Sequence, residues 1–65
     1  MDQKYVVITD YKHSGLHCYP FYLYENALSS YKSHVENDGD VLVSVALMQV
    51  DDAANFVTLM SKYWR

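Results

Sequence analysis

From Lys4 to Tyr11 the chain reads KYVVITDY, a β-branched and aromatic run in which Val6 and Ile8 fall on one face and Tyr5, Val7 and Thr9 on the other. A strand apolar on both faces predicts a central place in a small sheet, with helices covering at least one side. KHSG supplies a turn, because Gly15 can take the positive φ that a hairpin connection requires. A second strand is expected from about Leu16 to Tyr24. Pro20 has no N–H to give to a ladder, so this strand belongs at an edge or carries a bulge.

Apolar positions next recur at helical spacing in ENALSSYKSHVEN, where Ala27, Leu28, Tyr31 and Val35 form one stripe. NDGD ends this amphipathic helix, with Gly39 suited to a left-handed cap. Residues 40–50, DVLVSVALMQV, alternate Val41, Val43, Val45 and Leu47 against Leu42, Ser44, Ala46 and Met48, the clearest strand pattern in the chain. Asp51 or Asp52 then caps a final helix, in which Ala53, Phe56, Val57, Met60, Tyr63 and Trp64 fall along one side.

These elements predict an α+β fold of order β-β-α-β-α in a single domain, residues 1–65. The helical crossover makes the second and third strands parallel, and the right-handed rule sets the third strand beyond the first. A three-stranded sheet of order 2-1-3 covered by two helices follows.

Length changes this picture in one respect. A 65-residue domain buries only about 60% of the surface its unfolded chain exposes, and small domains without staples often gain stability by associating. With Cys18 as the single cysteine no internal disulfide can form, which fits a reducing cytoplasm. The first residues lack the pattern of a signal peptide, and the longest apolar stretch is far shorter than the ~20 residues of a membrane span. The expectation is a soluble, cytoplasmic protein without membrane contact. A net charge of −3 argues against a dedicated nucleic-acid binder, which needs a basic stripe to displace counterions from phosphates.

Candidate chemistry is sparse. His13, His17, Cys18 and His34 are the available soft or borderline metal ligands, but neighbours on a strand diverge, and a site needs three or four converging groups. They are read as exposed histidines and a packed cysteine. No nucleophile elbow, phosphate-binding glycine loop or metal motif is present, so neither an enzyme nor a cofactor is expected. The acidic set ENDGD with Asp51 and Asp52 reads as caps and a solvated loop.

The excess lies in the aromatics: seven tyrosines, two phenylalanines and one tryptophan. In HCYPFYLYENA, Tyr19 and Phe21 can pack inward while Tyr22 and Tyr24 point away, or the reverse. One pair should stay exposed, and tyrosine and tryptophan are enriched at interfaces. The expected partner-binding residues are Tyr19, Phe21, Tyr22 and Tyr24, joined by Tyr63 and Trp64 on the last helix.

A small acidic sheet with one helix across it, edge tyrosines and the junction YLYENALSSY resembles the small proteins by which phages disable host machinery, namely anti-CRISPR proteins and phage inhibitors of bacterial RNA polymerase. The resemblance is architectural and covers roughly residues 4–50. It implies a noncatalytic inhibitor that sterically blocks a larger bacterial protein or nucleoprotein complex. Two other readings stand beside it: a sheet whose tyrosines stack on single-stranded nucleic acid, and a self-associating structural protein, a homodimer completing its core through Phe56, Met60, Tyr63 and Trp64.

Overall fold

A computed structural model describes residues 4–64. Its elements are β1 (Tyr5–Tyr11), β2 (Gly15–Phe21), α1 (Tyr24–Asn37), β3 (Leu42–Val50) and β4 (Phe56–Tyr63). The strands form one sheet of order β2-β1-β3-β4, with every neighbouring pair antiparallel. β1 is central, as its two-sided apolar pattern requires. It pairs Val7 with Tyr19 on one side and with Leu47 on the other.

The class is α+β, but the expected three strands and two helices are corrected to four strands and one helix. The segment read as a final helix, Ala53–Trp64, contains β4 instead. Its apolar residues fit both periods, and Val57, Thr58 and the aromatics favour the extended form. The free edge of β3 decides the matter, because it offers unpaired backbone groups that a strand satisfies and a helix would not. The second strand also stops at Phe21, and Tyr24 opens α1.

Turn chemistry explains the connections. Gly15 holds φ 78°, closing the β1–β2 hairpin. Gly39, expected to be a left-handed cap, is not in that region. The helix is closed by Asp38, whose N–H bonds to the His34 carbonyl. Position 39 is closely packed: a Cβ there would crowd the Val35 carbonyl oxygen at 3.3 Å and touch Nε1 of Trp64 at 3.6 Å.

The core is small and one-sided. Val7, Ala27, Leu42, Val45 and Leu47 are fully buried, with Leu28, Tyr31, Val35 and Trp64 packed around them. Thr9 is the buried polar residue among them. Helix α1 lies over β3, β1 and β2 and does not reach β4. No helix among the described residues is long and apolar enough to cross a membrane.

Candidate docking surface

Cross-strand partners share a face, so the register sorts every side chain. Tyr5, Val7, Thr9 and Tyr11 of β1 point toward α1, with Val45 and Leu47 of β3 and Tyr19 and Phe21 of β2 beside them. The opposite face carries Val6 and Ile8 of β1, Leu16, Cys18 and Pro20 of β2, and Ala46, Met48 and Val50 of β3. β4 adds Phe56 and Tyr63, opposite Val50 and Ser44. No element of the described chain covers this second face.

That uncovered face is the least expected feature of the molecule. An antiparallel sheet with one solvated side normally alternates apolar-in and polar-out. Here the outer side is largely apolar on β1, β2 and β3, where the register also places Asp10 and Ser44, and on β4 Thr58 and Ser61 lie between Phe56 and Tyr63. Its rim is open: Leu16 is 70% exposed, Phe56 62% and Tyr63 77%. Contiguous apolar surface of this kind marks interaction sites more often than isolated exposed residues do.

The six aromatics singled out from the sequence do not form one patch. Tyr19 turns toward the helix and stacks on the His34 ring at 5.0 Å, and Phe21 packs against the core. Tyr24 meets Tyr5 edge-on at 5.6 Å. Tyr22 is 65% exposed in the β2–α1 connection. Tyr63 lies at the far end of the opposite edge strand, so the two freest tyrosines occupy diagonal corners of the sheet. Trp64 is half-buried against the core beside Gly39, with the Lys62 ammonium 5.5 Å from its ring.

Sequence reasoning missed Val6, Ile8, Ala46 and Met48 as surface. The signal lies in the two-sided apolar patterns of β1 and β3, from which the sequence predicts two helices covering the sheet. With a single helix, one side goes uncovered.

The polar groups are arranged for structure. The Tyr11 hydroxyl donates to Asp38 Oδ2 at 2.8 Å, and loss of hydration together with this bond raises the phenol from 10.0 to about 12. His34 holds the Ser30 carbonyl oxygen through Nδ1 at 2.8 Å. Cys18, expected to be packed, is exposed, and His34, expected to be exposed, is half-buried. Among the described residues no three His, Cys, Asp or Glu side chains converge as metal ligands. No protein-family model matches the chain, and no curated protein or solved structure matches it either.

Proposed function

We propose that this protein is a noncatalytic binding module that docks onto a larger bacterial protein through the uncovered face of its sheet and acts there as a steric inhibitor, in the bacterial cytoplasm. The observation that supports this is the largely apolar outer face of β1, β2 and β3, extended on β4 by Phe56 and Tyr63. Its chemistry selects the partner class. A phosphate-bearing ligand needs a cluster of lysine or arginine, and among the described residues the ladder places Lys4 alone on this side, just before β1, so a folded protein with an apolar docking surface is the matching occupant. The inhibitory role rests on the architectural likeness to phage-encoded inhibitors described above.

The test is affinity capture from bacterial lysate after nuclease treatment, comparing the wild type with two variants. Ala46→Glu sets a charge in the middle of the outer face, whereas Tyr22→Ala alters an exposed aromatic away from it. The expected result is one stoichiometric protein partner that Ala46→Glu loses and Tyr22→Ala retains, with circular dichroism unchanged in both. Capture that survives Ala46→Glu, capture that disappears with nuclease, or no partner at all overturns the proposal.

A further inference from the structure

A second feature concerns the two edges of the sheet. An edge strand offers a row of unpaired backbone groups, and proteins that remain monomeric blunt it with proline, charge or a covering element. β2 has such protection: Pro20 removes a donor, and α1 packs against the strand. β4 has almost none. It contains no proline and a single charge, Lys62, and α1 does not reach it. All eight of its residues are exposed, Phe56, Val57, Leu59, Met60 and Tyr63 among them.

We propose that β4 is a dimerisation strand, pairing antiparallel with β4 of a second copy about a two-fold axis perpendicular to the sheet. The irregularity in β4 specifies the register. Leu47 pairs with Met60 and Met48 with Thr58, which leaves Leu59 as the extra residue of a bulge. The bulge puts Phe56 and Tyr63 on the same face, although residues seven apart on a regular strand point to opposite faces. An axis between Leu59 and Met60 therefore matches face with face throughout. Phe56 stands across from Tyr63 of the second copy, Thr58 across from Ser61, and Val57 across from Lys62.

This arrangement suits a second copy of the same chain. Both aromatics of the strand meet as cross-strand pairs, no like charges oppose each other, and the ladder forms in two equal halves on either side of the bulge. The charges agree as well: Asp51 and Asp52 precede the strand and Lys62 lies near its other end, so antiparallel pairing directs each lysine toward the second copy's acidic turn. An eight-residue edge is much smaller than the roughly 20 residues a side of a stable interface, so the dimer belongs to the weak, concentration-dependent class. The two uncovered faces then lie on the same side of one eight-stranded sheet, doubling the docking surface without covering it.

Sedimentation equilibrium of the wild type, from about 1 μM to about 1 mM, should show the mean mass rising from 7.6 kDa toward twice that value. Val57→Lys and Val57→Glu separate the proposed register from a general loss of apolar surface. Each places a charge across from Lys62, and each contact occurs twice about the axis. Val57→Lys should weaken the dimer about tenfold, while Val57→Glu should leave it as tight or tighter. As a check that does not depend on those variants, Phe56→Cys mixed with Tyr63→Cys in a Cys18→Ser background should give a disulfide between the two variants and little within either alone. A 7.6 kDa monomer at every concentration, equal effects of the two Val57 variants, or cross-linking of each variant to itself overturns the proposal. Each of these results leaves the Ala46→Glu test of the outer face untouched.

Discussion

The β1–β2 hairpin turns on Gly15 at φ 78°, and the β3–β4 hairpin turns with Ala54 at φ 63°. Both use one left-handed residue, but they differ in what lies around it. The first tip is tied to the rest of the fold: Tyr11 donates to Asp38, the Lys12 N–H bonds to the Val41 carbonyl, and Lys12 Nζ bonds to the Asp40 carbonyl. The second tip is held mainly by itself. Asp51 Oδ1 accepts from the N–H groups of Ala53 and Asn55, each at 2.9 Å, and the Asp51 N–H bonds to the Asn55 carbonyl. Along the strands the contrast continues, with β2 under the helix and β4 beyond it. β3 carries the buried Leu42, Val45 and Leu47 and belongs to the core with β1, and β4 alone is an extension attached to it by its ladder to β3.

If that division is right, truncation should be costly on one side and nearly free on the other. Leu47 is fully buried, and Leu47→Ala should cost about 2–5 kcal/mol, the range for emptying a packed aliphatic site. Phe56 is a larger side chain but 62% exposed, and Phe56→Ala should cost no more than about 0.5 kcal/mol in urea melts at concentrations low enough to keep the protein monomeric. Comparable costs at the two sites would show that β4 shares the core after all.

The tether at the first tip is the next largest effect. Tyr11→Phe removes a hydrogen bond to a carboxylate and should cost about 1.5 kcal/mol near neutral pH. It also has a pH signature. The folded state holds the phenol proton more tightly than the unfolded chain does, so this contribution is complete below pH 10 and is lost as pH rises toward about 12. Thermal melts through that window should fall more steeply for the wild type than for Tyr11→Phe.

At the second tip Asp51→Ala takes away the carboxylate oxygen that accepts from two N–H groups. A loss of about 1 kcal/mol is expected, together with faster hydrogen exchange along β4 and little change in β1. Exchange that quickens equally in all four strands would mean that β4 does not open independently.

The smallest test swaps the two left-handed residues. Nothing lies within 4 Å of a Cβ built on Gly15, so the penalty of Gly15→Ala is conformational alone, about 1 kcal/mol. Ala54→Gly relieves the same strain while adding freedom to the unfolded chain, and should stabilise by about 0.5 kcal/mol. Opposite signs in the two melts are the expected outcome.

Much of this molecule was legible beforehand because its signals are local. Gly15 marks a turn, Pro20 marks an edge, and Ala27, Leu28, Tyr31 and Val35 mark a helix face; all three readings depend on the residue itself or on neighbours within a few positions. The docking surface was far less legible. Whether Tyr19 or Tyr22 is free depends on where the strand ends, and it ends at Phe21. Tyr19 then falls under the helix and Tyr22 in solvent, a choice that strand alternation alone left open.

By itself the amino-acid sequence determined the first four elements and the central place of β1, because backbone preference and side-chain periodicity act over short distances. The conformation of residues 53–64 was another matter. Asp51 can begin a helix or close a turn with the same carboxylate, and Phe56, Val57, Met60 and Tyr63 can line a helix or populate a strand. Only the tertiary structure decided between them: the exposed edge of β3 presents backbone donors and acceptors that a fourth strand satisfies. That decision used up the chain that would have covered the second face of the sheet, and it left Val6, Ile8, Ala46 and Met48 facing outward.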